Sequence, residues 1–135
     1  MQTMQAAIRS APAVTPEILE PTKLAELAQF GGGHNFLEKL VGGFDTDSRQ
    51  LVHELRTAVQ QKDYPQMQSC AHALRGTAAQ LGAVRIESLC STLERTRPPE
   101  MESPRPLQLL DELDNVFERT VSALRDYLGR DPQQQ

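Results

Sequence analysis

The sequence has no tryptophan, and aromatic residues make up only 4% of it. Aromatic side chains contribute much of the buried area in β-sandwich cores, and they form the stacking platforms of many proteins that bind single-stranded nucleic acid. Their scarcity therefore favours a helical core packed with aliphatic side chains.

Basic residues are outnumbered, with 14 Lys and Arg against 18 Asp and Glu and a formal net charge of −4. No part of the sequence forms the basic stripe that a nucleic-acid surface needs to neutralise phosphates. We therefore expect no nucleic-acid partner.

Long hydrophobic runs are absent as well. No apolar segment approaches the ~20 residues that a helix needs to span a bilayer. Residues 1–10 also lack the charged region and the apolar region of a signal peptide. We expect a cytoplasmic domain that makes no direct contact with a membrane.

No residue pattern indicates a metal or nucleotide site. The two cysteines, Cys70 and Cys90, lie within helical patterns and are interpreted as small buried hydrophobic residues in a reducing compartment. His34 and His53 share no ligand-type spacing with these cysteines. The glycines at 31–33 lack the Lys-Ser/Thr that completes a phosphate-binding loop, so we expect no metal, no cofactor and no ATP site.

The sequence does contain strong helical periodicity. The spacing of apolar residues predicts one short helix and four longer ones, at residues 21–30, 35–62, 64–81, 84–95 and 107–128. Four amphipathic helices with short connections indicate an all-α fold, an antiparallel up-down four-helix bundle. The short leading helix is too short to be stable alone and is expected to cap the bundle.

Boundary signals divide the chain into a bundle at residues 17–129, a flexible tail or linker at 1–16 and a disordered tail at 130–135. Within the bundle, Asn35 and Asp63 are predicted N-caps and Gly82 a C-cap.

Two other segments carry helix-breaking residues. Gly42-Gly43 predicts a kink or a close helix crossing, and the prolines between residues 97 and 106 predict a loop.

The helix at 64–81 has one predicted buried face. Its apolar residues recur at i, i+4, i+7, i+11 and i+14, namely Met67, Ala71, Leu74, Ala78 and Leu81. At about 100° per residue, His72 lies roughly 140° from the centre of this stripe and is predicted to face solvent.

The neighbours of His72 on this outer face include Arg75, Gly76 and Ala79, two of which have almost no side chain. A glycine inside a helix costs about 1 kcal/mol relative to alanine, so Gly76 indicates a surface cleared for a bulky partner. A neutral imidazole is a nucleophile, and Arg75 supplies a cation for an anion that the imidazole accepts. These features suit phosphoryl transfer through histidine.

The run Ala-His-Ala-Leu-Arg-Gly-Thr-Ala-Ala-Gln-Leu-Gly-Ala at 71–83, followed by Leu-Cys-Ser-Thr-Leu-Glu at 89–94, resembles the histidine-containing phosphotransfer (HPt) domains of two-component phosphorelays. The resemblance implies that His72 is the phosphoacceptor. Arg75 falls where the family usually has lysine, Gly76 falls on its glycine, and Glu94 falls where it often has a Gln or Glu hydrogen-bonded to the imidazole. Arginine keeps the charge but presents a planar fork.

The resemblance also implies the partners. His72 takes a phosphoryl group from an aspartyl phosphate on a receiver domain and passes it to another receiver, which also holds the Mg²⁺. We expect docking to use the clearance at Gly76 and Ala79, with Gln68 and Gln80 either at its rim or simply exposed to solvent. One acceptor in each bundle suits a monomer, and both a free-standing carrier and a domain of a hybrid sensor histidine kinase fit the sequence.

Two other functions fit the sequence less well. A helical adaptor without phosphotransfer gives no reason for an intact His72. A helix-turn-helix across Leu81-Gly82-Ala83 lacks a basic reading helix, because residues 84–94 offer only Arg85 against two glutamates.

Overall fold

The computed structural model describes residues 18–30 and 33–130. These residues form five α-helices, which are α1 (Pro21–Phe30), α2 (His34–Gln60), α3 (Tyr64–Leu81), α4 (Val84–Glu94) and α5 (Arg105–Gly129). A 3₁₀ turn at Pro98–Glu102 precedes α5, and no strand occurs in these two ranges. The predicted tail at 1–16 and all but the first residue of the predicted tail at 130–135 lie outside the described residues.

Helices α2 to α5 form a ring in which each helix packs against two others, α2 on α3 and α5, and α4 on α3 and α5. The turns between α2 and α3 and between α3 and α4 are short, which makes consecutive helices antiparallel. This confirms the predicted all-α four-helix bundle.

The core is almost entirely aliphatic, as the lack of aromatic residues predicts. Its largest fully buried side chains come from every helix, and they include Leu24, Leu37, Leu55, Met67, Leu74, Ile86, Leu93, Leu110, Leu113 and Leu124. One aromatic pair, Phe44 and Phe117, packs with ring centroids 6.0 Å apart between α2 and α5.

The leading segment lies across the turn between α3 and α4. The backbone N–H of Glu20 donates to the carbonyl of Gly82 at 2.8 Å, and Leu24 of α1 is buried. Gly82 has a φ of 72°, which confirms the predicted left-handed C-cap of α3. The Asp63 N-cap is also confirmed, because its Oδ1 accepts from the Gln66 N–H at 3.2 Å.

Three local predictions need correction. Helix α2 continues through Gly42 and Gly43, and a Cβ at either position would meet nothing within 4 Å, so the predicted close helix crossing is absent there, while the alternative, a kink, stays a prediction. Asn35 is not the N-cap of α2, since Gly33, at a φ of 71°, precedes the first helical residue, His34.

The predicted loop at 97–106 is more regular than expected. It contains the 3₁₀ turn and the first two residues of α5. Pro106 fits there because the first turn of a helix needs no intrahelical N–H donors.

We expect Gly82→Ala to destabilise the bundle by about 1–3 kcal/mol, the cost of holding a non-glycine residue in a left-handed conformation. The added Cβ would also lie 2.9 Å from Cβ of Lys23 and 3.1 Å from the carbonyl oxygen of Glu20. Urea unfolding followed by circular dichroism measures the change in unfolding free energy.

Gly43→Ala is the matched control. Gly43 is exposed inside α2 with open space around it, so alanine should stabilise the protein by roughly 0.5–1 kcal/mol. Equal effects from both substitutions would contradict the role assigned to Gly82.

Candidate functional site

His72 lies in the middle of α3, and 71% of its side chain is exposed. The buried residues of this helix are Met67, Cys70, Ala71, Leu74, Ala78 and Leu81. The helix therefore turns the imidazole away from the core, in the direction that the apolar spacing predicts.

The turn between α3 and α4 brings Glu94, the last residue of α4, opposite His72. Oε2 of Glu94 lies 3.1 Å from Nδ1 of the imidazole, and only 22% of the Glu94 side chain is exposed. A partly shielded carboxylate interacts more strongly than a fully solvated one, because water and salt screen it less.

Arg75, one turn after His72, contacts the same two groups. Its Nε lies 2.5 Å from Oε1 of Glu94, and its Nη2 lies 3.4 Å from Nδ1 of His72. Oε1 is shielded from solvent, and its contact with Arg75 is a close ion pair without the alignment of a hydrogen bond. The structure thus brings His72, Arg75 and Glu94 together.

The proton on Nδ1 decides which of its two neighbours it can bond. A carboxylate only accepts hydrogen bonds and a guanidinium only donates them, so Nδ1 bonds Glu94 when protonated and Arg75 when bare. The 3.1 Å contact with Glu94 is the shorter one and favours Nδ1–H. Nε2 then carries the lone pair, and no hydrogen bond within residues 18–30 and 33–130 occupies it.

The guanidinium of Arg75 lies beside Nδ1 of His72 and the carboxylate of Glu94. Its predicted role, to supply a cation for an anion that the imidazole accepts, stays a prediction.

The surface beyond His72 is open. Gly76 and Ala79 are both exposed, and a Cβ at Gly76 would meet nothing within 4 Å. Packing inside the bundle therefore does not require a glycine at this position, and the cost of Gly76 to the helix has no internal explanation.

The two candidate rim residues occupy different settings. Gln80 is exposed and lines a shallow groove between α2 and α3, next to Lys39 and Thr77. Gln68 is half-buried, and its Nε2 lies 3.0 Å from the backbone oxygen of Glu94 and 2.8 Å from the hydroxyl of Tyr64. Gln68 thus links two helices.

Tyr64 was not singled out from the sequence. The signal that could have found it is spacing, because Tyr64, Gln68 and His72 follow one another at i, i+4 and i+8 and therefore share one helix face.

The other two histidines lie apart from this site. Nε2 of His34 is 3.3 Å from Oε2 of Glu38 within α2, and His53 is exposed. Over the described part of the chain, no three His, Cys, Asp or Glu side chains converge as metal ligands do.

Both cysteines are buried and unpaired. Burial and, to a smaller extent, the nearby Glu94 carboxylate together raise the pKa of the Cys90 thiol to about 12, against a small opposing effect of Arg75. Burial also raises the pKa of Cys70, and Glu54 adds to that effect. Both thiols are therefore protonated and poor nucleophiles at neutral pH.

We expect neither cysteine of the native protein to react with a water-soluble disulfide reagent at mildly alkaline pH. Both should react quickly after unfolding in guanidinium chloride, where their pKa values return to about 8.5. Release of the coloured thiolate measures the reaction. Rapid labelling of the folded protein would contradict the burial of Cys70 and Cys90.

Comparison with known proteins gives concordant results. The model of a family described as the Hpt domain matches residues 39–127. The sensory/regulatory protein RpfC of Xanthomonas campestris pv. campestris is 29% identical over 92 residues, which is 68% of this chain and 13% of that protein. Multistep phosphorelay regulator 1 of Schizosaccharomyces pombe is 23% identical over 99 residues, which is 70% of this chain and 32% of that regulator.

The fold has a close structural counterpart. The crystal structure of histidine-containing phosphotransfer protein B from Pseudomonas aeruginosa PAO1 superposes with a TM-score of 0.76 at 23% sequence identity. The match covers 87% of this chain and 98% of that one. In contrast, this chain spans less than a third of the length of the two relatives matched by sequence.

Proposed function

We propose that this chain, which belongs to the Hpt domain family, performs its phosphotransfer in a two-component phosphorelay through Nε2 of His72. The observation that carries this assignment is the exposed imidazole whose Nδ1 faces the carboxylate of Glu94 at 3.1 Å. This contact favours the tautomer in which Nε2 holds a lone pair and faces solvent.

In the proposed reaction, the Nε2 lone pair attacks the phosphorus of an aspartyl phosphate on a receiver domain. The N–P bond forms as the P–O bond to the aspartyl carboxylate breaks, and the carboxylate leaves with the electron pair of that bond. The ring keeps its proton on Nδ1 and becomes cationic. Transfer to a second receiver reverses these changes.

Glu94 stabilises the charge that develops on the ring. As Nε2 bonds to phosphorus, Nδ1–H becomes a stronger donor, and its carboxylate partner is already in place. Histidine and carboxylate divide the work in the same way in hydrolytic triads, where the carboxylate orients the ring and stabilises its cationic form.

Arg75 has two proposed states. In the unphosphorylated protein it pairs with Glu94, and after transfer the new phosphoryl oxygens compete for its guanidinium. Its planar fork can contact one anion with each edge, which a lysine ammonium does not do.

We propose a receiver domain as the docking partner, with Gly76 and Ala79 in the contact and Gln80 at its rim. We expect the receiver to supply Mg²⁺ and this chain to act without a cofactor, metal or ATP site of its own.

We place the chain in the cytoplasm as a monomer, either as a free carrier or as one domain of a larger sensor kinase. No helix in the described ranges is long and apolar enough to cross a membrane.

The DNA-binding alternative has little support from the bundle. Arg85, the basic residue of the supposed reading helix, is paired with Glu112 of α5. A phosphate backbone would have to compete with this ion pair for the guanidinium.

His72→Gln should abolish labelling by a phosphorylated receiver domain, because glutamine has no nucleophilic ring nitrogen. The wild-type label should be labile in acid and stable in base, as expected of a phosphoramidate. The helical circular dichroism spectrum of His72→Gln should match that of the wild type, because the replaced side chain is exposed.

His53→Gln is the matched control, because it removes an exposed imidazole outside the site and should retain full labelling. Labelling that survives in His72→Gln would assign the acceptor to another residue. Label obtained from ATP alone would reveal a nucleotide site.

Gly76→Gln should slow phosphotransfer on the order of tenfold, which corresponds to about 1.4 kcal/mol of lost complementarity with the receiver. Gly76→Ala should instead stabilise the bundle by about 1 kcal/mol, because its Cβ meets open space inside a helix. Rapid-quench transfer kinetics and urea unfolding measure the two effects. Unimpaired transfer by Gly76→Gln would remove the clearance explanation.

A further inference from the structure

The end of α4 leaves one backbone acceptor without a donor from its own helix or from the residues directly after it. The last carbonyls of a helix have no intrahelical partners, and Glu94 is the final residue of α4. The residues four and five positions after it are Pro98 and Pro99, which have no N–H.

The three N–H groups between Glu94 and these prolines are already engaged. Arg95 donates to the carbonyl of Ser91, and Thr96 donates to that of Leu93. The Arg97 N–H donates to the side chain of Glu100 at 2.8 Å. The carbonyl of Glu94 therefore needs a donor from another element or from water.

Gln68 of α3 provides that donor. Its amide nitrogen donates to the Glu94 carbonyl at 3.0 Å and to the Tyr64 hydroxyl at 2.8 Å, so each of its two hydrogens has an acceptor. The side chain is half-buried between α3 and α4, where water competes less for these bonds.

Three side chains of α3 thus hold Glu94 at two different points. Gln68 bonds its backbone, whereas His72 and Arg75 contact its carboxylate. Gln68 lies one turn before His72 on the same face of α3, so its bond to Glu94 lies beside the imidazole.

We infer that Gln68 is a positioning residue that keeps the Glu94 carboxylate against Nδ1 of His72 and thereby holds the ring in its Nδ1–H tautomer. This inference rests on the proposed function of His72. Without the Gln68 bond, the end of α4 gains freedom, the carboxylate spends less time at Nδ1, and Arg75 competes better for a bare Nδ1.

Gln68→Met tests this role because it keeps the length of the side chain and removes both donors. Nitrogen-15 NMR of the unphosphorylated protein reports the tautomer of His72. We expect the Nδ1–H fraction to fall in the variant, together with a decrease of about 2- to 10-fold in the rate of phosphotransfer, the range that one hydrogen bond is worth.

Gln108→Met is the matched control, because it makes the same substitution at an exposed position of α5 and should leave both readouts unchanged. Tyr64→Phe is a milder second variant that removes only the hydroxyl acceptor of Gln68, and it should shift the tautomer in the same direction by less.

A Gln68→Met protein with lower stability and an unchanged His72 tautomer would overturn the inference, because that result describes a purely structural bond. The tautomer is measured without phosphotransfer. Failure of this inference is therefore distinguishable from failure of the proposed function, which labelling of His72→Gln would reveal.

Discussion

The hydrogen bond between Nδ1 of His72 and the carboxylate of Glu94 is the interaction on which the site depends. An imidazole that is 71% exposed has water on most sides, and water alone would not choose one tautomer or one ring orientation. The carboxylate of Glu94, which is itself mostly shielded, favours one tautomer and one orientation of the ring. In the proposed reaction, the same contact would also stabilise the positive charge that develops on the ring as Nε2 bonds to phosphorus.

The bundle holds His72 and Glu94, which are 22 positions apart in the sequence, within hydrogen-bond distance of each other. Helices α3 and α4 meet through a tight turn that uses the left-handed conformation of Gly82, and Glu20 of the leading segment bonds the carbonyl of that same glycine. Leu74 and Leu93 are fully buried in the shared core. Close packing of this kind allows little sliding between helices, so the distance between the imidazole and the carboxylate is well defined.

On the outer face of α3, the proposed function and the stability of the helix favour different residues. Gly76 weakens the helix although a Cβ at its position would meet no atom within 4 Å. Gly82, in contrast, is required by its left-handed conformation and by the atoms close to it. The glycines at positions 76 and 82 are thus explained by two different physical reasons. Arg75 shows a similar tension, because the ion pair that helps to orient Glu94 also occupies the cation that a phosphorylated ring would attract.

The sequence by itself determined the helical class, most helix limits, the caps at Asp63 and Gly82 and the outward direction of His72, because these follow from local spacing and from the conformations of single residues. Tertiary structure decided what local spacing does not encode. It carried α2 unbroken through Gly42-Gly43, since the buried face of that helix packs on the core along its whole length. It also placed Gln68 on the end of α4 and Arg75 on Glu94, because such contacts depend on how two helices pack, and no single helix specifies the register of its neighbour.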